Sequence, residues 1–327
     1  MSNIASWNVR GLNRPNKQED VKIFLQLNDV GLVGLIETKI RQQNEASIAS
    51  SFLHGWQWAN NCDISNGRIW VAWKPCAYRL TILEQTDQLI HCSATQLLTK
   101  KRFHITFIYG HNHDLQRQSL WHALHRLSLS IPGAWSILGD FNTISAKNER
   151  IGGTDVSDQD IQELSNFMLD CEVQELSCSG GFFTWTNKTI WSKIDRVFIN
   201  NLWYGTFDFT LARILPPGLS DHSPILLQFH VPPRPPFMFQ YCDMWSSHKD
   251  FPSIVEAGLP DTSSQDILLK TRFYFSRLRQ NLSMLHRDHF KDIKLQQEIA
   301  RSALVQAQLA LQRSPDSASL KHKENEA

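Results

Sequence analysis

The side chains with chemical reach stand at the ends of apolar runs. Asp221 and His222 lie between the turn Pro217-Gly218 and the run Ile225–Phe229, and Glu37 closes the unbroken run 30–36. Asp140 and Asn142 follow Ile137-Leu138-Gly139, Asp195 opens 195–200, Tyr109 and Asn112 follow 102–108, and Asn8 sits between Trp7 and Val9. Each costs free energy at the edge of a core unless it is paired. Four carboxylates meeting in one pocket would repel and raise one another's pKa unless a cation neutralised them. Hard oxygen donors of this kind suit Mg²⁺ or Mn²⁺, and the set lacks the Cys and His spacing that zinc prefers. A hard divalent ion beside one imidazole fits phosphoester hydrolysis: the ion stabilises charge on the phosphoryl oxygen, a carboxylate or imidazole prepares the water, and amides and a phenol brace the transition state.

Such groups must be held by a rigid scaffold, and strand ends supply one. The run 30–39, "VGLVGLIETK", has the continuous apolar character of a strand buried on both faces. The stretch 134–142, "AWSILGDFN", repeats the design, 102–112 alternates Phe103, Ile105 and Phe107, and 191–200 has a polar lead that places Asp195 at a strand entrance. Downstream, "VPPRPPF" (231–237) carries four prolines in seven positions and reads as a stiff linker. Residues 263–313 lack Gly and Pro, and Leu278, Leu282 and Leu285 share one helical face. That length predicts a helical hairpin or coiled-coil arm. Asp266 to Arg313 holds nine Lys/Arg against four Asp/Glu. Two readings of that excess stand: a solvated helix face, or an arm contacting nucleic acid or another protein. Ser314-Pro315 stops the helix, and the polar tail 314–327 is expected to be disordered.

The composition suits an intracellular enzyme. The 327 residues are 42% hydrophobic and 20% charged, enough for one large core with an appendage. Formal net charge is +1, so a nucleic-acid partner would need a local positive field. No apolar run reaches the roughly 20 residues of a membrane span. The N-terminus has no signal-peptide pattern, so secretion is not expected. Six scattered cysteines form no C-x-x-C pair and read as reduced thiols.

Taken in order, "SWNVRGLN", "LIETK", "IYGHN", "GDFN", "IDRVF" and "LSDHSPI" resemble the endonuclease/exonuclease/phosphatase superfamily, the DNase I-like enzymes. With "GGFFTWTN" (180–187) ahead of the "IDR" motif, the chain looks like the endonuclease domain of plant LINE-type non-LTR retrotransposons. The segment "FMFQYCDMW" (237–245) is similar to the connector that follows that domain. The resemblance spans about residues 1–300 and implies a four-layer αββα sandwich with a C-terminal helical extension. The expected division is a catalytic domain at 1–231, a Pro-rich linker and connector at 232–262, a helical arm at 263–313 and the tail at 314–327.

Residue by residue, the resemblance implies that Glu37 is the principal metal ligand, assisted by Asn8, with Asp221 completing the metal and phosphate environment. Asp140 would orient or deprotonate the attacking water, and Asn142 would donate to the phosphate. His222 would contact the scissile phosphate with its tautomer fixed by Asp195. Tyr109 and Asn112 would brace the transition state, and Arg10 and Trp185 would touch substrate. Arg10 stands where repair enzymes of the superfamily carry a carboxylate, which puts the metal geometry in question and weakens a repair reading. The implied activity is Mg²⁺- or Mn²⁺-dependent nicking of double-stranded DNA that leaves a 3′-hydroxyl. A nuclear location follows if DNA is the substrate, and a cytoplasmic one otherwise. The chain contains no [YF]-x-D-D polymerase element, as in a truncated or domesticated copy. Alternatives are an apurinic/apyrimidinic repair endonuclease, a phosphatase of the same superfamily, or a catalytically silent remnant.

Overall fold

The computed structural model describes residues 2–64, 67–207, 209–229, 241–257, 267–314, 317 and 319–321. Two βαβ units form its centre. Asn3–Asn8 runs parallel to Val30–Ile36, with the helix Pro15–Leu27 between them in sequence. Arg102–Tyr109 runs parallel to Trp135–Asp140 across the helix Asp114–Ser128. Parallel pairing brings like ends of strands together, so Asn8 finishes beside Ile36 and Glu37, and Tyr109 pairs with Asp140 in register.

Antiparallel neighbours extend each pair into a sheet. The first has seven strands, in the order Cys178–Gly180, Thr210–Ile214, Ile225–Phe229, Asn3–Asn8, Val30–Ile36, Ile69–Trp73 and Gln57–Asn60. The second has six: Val173–Glu175, Asp195–Asn200, Trp135–Asp140, Arg102–Tyr109, Leu89–Gln96 and Tyr78–Gln85. Trp191–Ser192 does not continue into Asp195–Asn200. It pairs instead with Arg150–Ile151 and Trp185–Thr186 in a small third sheet. The corner between them is held by Thr184, whose Oγ1 accepts the N–H groups of Ile194 and Asp195.

Strand alternation decides which layer each side chain enters. Ile4, Leu32, Phe107, Leu138, Val197 and Leu227 fill the space between the sheets. Ala5, Val33 and Leu35 face outward and are covered by Val21, Phe24, Ile48 and Phe52 of the helices Pro15–Leu27 and Glu45–Phe52. On the other side Ile108, Ile137 and Phe198 meet Leu120, Leu124, Leu164 and Phe167 of the helices Asp114–Ser128 and Asp158–Asp170. Each such aliphatic or aromatic side chain contributes roughly 1.5–3 kcal/mol on full burial. The result is a helix–sheet–sheet–helix sandwich of the DNase I-like kind, with helices at its C-terminal end. Gly139 lets the second sheet close next to the site: its φ is +147°, and a Cβ there would lie 2.1 Å from the carbonyl oxygen of Ile108.

Contacts divide the chain into a large unit, residues 1–232 with 305–326, and a small one, residues 233–304. Within the large unit Leu311 is buried against Phe183 and Trp191, with Leu320 beside it. Leu311 thus gives these two aromatic rings apolar cover. Within the tail, 315, 316, 318 and 322–327 lie outside the described residues, as do 230–240 and 258–266 of the expected linker region. The expected hairpin or coiled-coil arm is helical over 267–313. Ile267–Leu285 passes through a π turn, His286–Phe290, directly into Lys291–Arg313, as a stretch without Gly or Pro allows. Among the described residues no helix is long and apolar enough to cross a membrane.

Candidate active site

The ends of the central strands converge on one polar cluster. Asp140 and Asp195 are direct partners across their antiparallel strands, and Tyr109 is Asp140's partner on the other side. Asn8, fully buried, reaches across from the first sheet and donates through Nδ2 to Asp140 Oδ2 at 2.9 Å and to Glu37 Oε1 at 3.3 Å. His222 enters from the loop ahead of Ile225–Phe229. Its Nδ1 lies 2.9 Å from Asp195 Oδ2, and its Nε2 lies 3.8 Å from Asp140 Oδ2. Main-chain contacts fix that loop: Trp7 Nε1 donates to the His222 carbonyl, Ser220 Oγ to the Asn8 carbonyl, and Ser223 N to the Thr184 carbonyl.

Arg10 forms an outer layer. Its Nη1 donates to Glu37 Oε1 at 3.0 Å and its Nε to Asp221 Oδ2 at 3.0 Å, while Trp185 Nε1 also donates to Asp221 Oδ2 at 3.1 Å. Lys39 Nζ lies 2.7 Å from Glu37 Oε2. Asn142 Nδ2 donates to the Gly110 carbonyl, and its backbone N–H donates to Asp140 Oδ1. Above the cluster opens a cleft of about 400 Å³ whose lining includes Arg10, Glu37, Asn112, Asn142, Arg150, Trp185 and His222.

The structure thus brings two hydrogen-bonded sets together, Asn8 with Glu37 and Asp140, and Asp195 with His222, which meet where His222 Nε2 lies 3.8 Å from Asp140, with Tyr109 and Asn142 against them. Asp221 and Trp185 sit one layer out, joined to the group through Arg10. Asn112 lines the cleft, its backbone carbonyl accepting from Arg117, and among the described residues no hydrogen bond joins its side chain to the cluster. Sequence reasoning assigned no role to Lys39, Thr184 or Ser220. All three lie inside quoted motifs, but Thr184 and Ser220 act on backbone groups, which no side-chain pattern announces.

Charge follows the geometry. Burial works to raise the Glu37 carboxyl, but the hydrogen bond from Lys39 and the Arg10 guanidinium hold it below the ordinary carboxylate range. At Asp140 burial, then the Asp195 carboxylate, outweigh the opposing His222 charge and push it up to about 7. Burial would lower His222, yet Asp195 and Asp140 outweigh it and raise the imidazole to about 9. Burial, then Glu37 and Asp140, raise the Tyr109 phenol.

A group with a raised folded pKa contributes stability that is full below its unfolded pKa and lost as pH rises through the folded one. For His222 that window runs from 6.5 to about 9. Burial lowers His91 and His104, so both are already neutral there. In EDTA, the urea-unfolding free energy is expected to fall by roughly 2 kcal/mol as pH rises through that window. His222→Asn should flatten the curve, and a wild-type curve that rises with pH would contradict the charge assignment.

The donor set fits a hard divalent cation. The oxygen donors of Glu37 and Asp140 meet on Asn8 Nδ2, and Asp195 and His222 pack beside Asp140. The family model described as the Endonuclease/Exonuclease/phosphatase family matches residues 5–222. The chain belongs to this family. Members of the endonuclease/exonuclease/phosphatase family are hydrolases of phosphoester bonds that typically use divalent metals. Comparison with the curated proteins returns no match.

Among solved structures, the chain is similar to the 3′ phosphatase NExo from Neisseria bound to product DNA hairpin, at 18% identity and a TM-score of 0.54, covering 71% of this chain and 100% of that one. It is also similar to the endonuclease domain of TRAS1, a telomere-specific non-LTR retrotransposon, at 13% identity and a TM-score of 0.54, covering 71% and 99%. A mannosyl-6-phosphatase, Bt3783 from Bacteroides thetaiotaomicron, aligns at 12% identity and a TM-score of 0.50, covering 71% and 100%. At these identities the likeness is one of fold.

Proposed function

We propose that this chain is a Mg²⁺-dependent endonuclease of the plant LINE type, one that hydrolyses a phosphodiester of double-stranded DNA and leaves a 3′-hydroxyl. The observation that carries the reading is the placement of His222, bonded to Asp195 through Nδ1 and turned toward Asp140 with Nε2, at the floor of an open cleft.

The Asp195 carboxylate holds the imidazole in one orientation and keeps it protonated, so Nε2 presents a positive N–H to a non-bridging phosphate oxygen. Asp140, raised toward neutrality, is suited to accept a proton from the attacking water. Asn142 lines the cleft beside it for the phosphate, and Trp185 offers a ring face next to Asp221. Glu37, with Asn8 and Asp140, would hold the metal ion, which supplies neutralising charge at the phosphoryl oxygen. Arg10, at present bridging Glu37 and Asp221, would be released to meet DNA phosphate. A DNA substrate implies a nuclear site of action.

The test is incubation of purified protein with supercoiled plasmid. Mg²⁺ should yield the nicked circle, EDTA should stop it, and Asp140→Ala or His222→Ala should each cost about 10²–10⁴ in rate. Nicking that survives both substitutions overturns the reading. A duplex carrying an abasic site, cut no faster than an intact one, separates this activity from a repair enzyme.

A further inference from the structure

Among its described residues the small unit has one small apolar core. Its described core is Trp245, Leu282 and Leu285, with Phe251, Ile254 and Leu278 partly buried, and Cys242 is a free thiol. Small units commonly gain stability from a metal, a disulfide or a partner.

Three metal-ligating side chains converge beside that core. One ligand atom each from His248, Asp250 and His289 lies within 4.8 Å of the others. The two imidazole rings are 4.4 Å apart between centroids and tilted by 36°, and His248 Nδ1 lies 3.7 Å from Asp250 Oδ2. Two features of the backbone produce the cluster. Asp250 occupies the N-cap position of the helix Phe251–Glu256, yet its side chain makes no capping hydrogen bond. An aspartate there ordinarily accepts from the helix N–H groups; here its carboxylate is near His248 instead. His289 is on the π turn His286–Phe290, an insertion frequent at functional sites. The same turn brings His286 Nδ1 within 3.2 Å of Trp245 Nε1, which donates to it. Both histidines of the turn thus meet the segment 243–250.

We propose that His248, Asp250 and His289 form a second metal site, for a borderline divalent ion of the Zn²⁺ class, which clamps the segment 243–256 onto the helix at its π turn. Two imidazoles and one carboxylate are ligands suited to Zn²⁺, whereas Mg²⁺ prefers an all-oxygen shell. Asp250 is 52% exposed, so water can complete the coordination. Ligation through His248 Nδ1 would replace the 3.2 Å hydrogen bond it accepts from the Asp250 N–H. The site shares no residue with the catalytic cluster and does not depend on the activity proposed above.

Co²⁺ is the probe, because its visible d–d bands report bound imidazole and carboxylate directly. Titrated into the full chain with excess Mg²⁺ present to occupy the catalytic cluster, Co²⁺ should give a saturable band at one equivalent. Zn²⁺ should displace it, and excess Mg²⁺ should not. His248→Ala and His289→Ala should abolish the band, and Asp250→Asn should weaken binding by at least about tenfold. Asp250→Asn alters an exposed side chain, so it keeps the test readable if a histidine variant misfolds. His222→Asn should leave the band unchanged. No band, a band that survives His289→Ala in folded protein, or a band lost with His222→Asn would each overturn the proposal.

Discussion

Asp195→Asn is expected to lower the single-turnover rate of plasmid nicking by about 10³–10⁴-fold while leaving DNA affinity nearly unchanged. The Asp195 carboxylate has two tasks that an amide does not perform. It accepts from His222 Nδ1 at 2.9 Å, which fixes which ring nitrogen faces the phosphate. It is also the foremost charge outweighing the burial that would otherwise lower His222. With Asn the ring can turn or lose its proton, and either change removes a positive donor from a position buried to 2% exposure. Residual activity should move to lower pH, since only there would His222 still carry its proton. Asp195 is 3% exposed and sits behind the cleft lining, so binding measured by fluorescence anisotropy should persist. A rate loss below tenfold, or one matched by an equal loss of affinity, would remove Asp195 from the machinery.

Much of the scaffold was legible because its strands carry strong local patterns. Val30–Ile36 is buried at every position, as its continuous apolar run requires, and the polar residues at the ends of such strands do meet. What the sequence hid falls into three kinds. Arg10, Glu37 and Lys39 have φ of +49°, +51° and +50°. That left-handed backbone turns Arg10 and Lys39 onto Glu37, and no side-chain pattern announces it. The cover over Phe183 and Trp191 comes from Leu311, more than a hundred residues away in sequence, and such pairings leave no periodic trace. The π turn His286–Phe290 lies in a stretch without Gly or Pro, which gives no sign of it. The roles of Asp221 and Arg10 were drawn from resemblance, and the geometry links these two side chains directly, with Asp221 one layer outside the buried group.

The strand Asp195–Asn200 offers a way to separate catalysis from stability, because neighbouring residues point to opposite faces. Asp195 shares the inter-sheet face with Val197 and Ile199, toward His222. Arg196 shares the outer face with Phe198 and is fully buried. Its guanidinium donates to Glu149 Oε2, to Glu175 Oε2 at 2.8 Å and to the Lys193 carbonyl at 3.0 Å. Burial would raise the Glu149 carboxyl, but the Arg196 hydrogen bond and charge hold it below its ordinary value. Arg196→Met leaves Lys193 as the cation facing both carboxylates, with Glu149 still accepting from Ser145 and Ala146, and loss of one partner of a buried charge pair costs roughly 3–5 kcal/mol. For a unit of this size that is about 10 °C in thermal midpoint. Adding Glu149→Gln should recover part of the loss, since the penalty lies in the charge left behind rather than in the missing arginine. Nicking per folded molecule should stay near wild type at low temperature, the reverse of Asp195→Asn. A stability loss of less than about 1 kcal/mol would show that water compensates Glu149, and that this face of the strand is less dry than its burial implies.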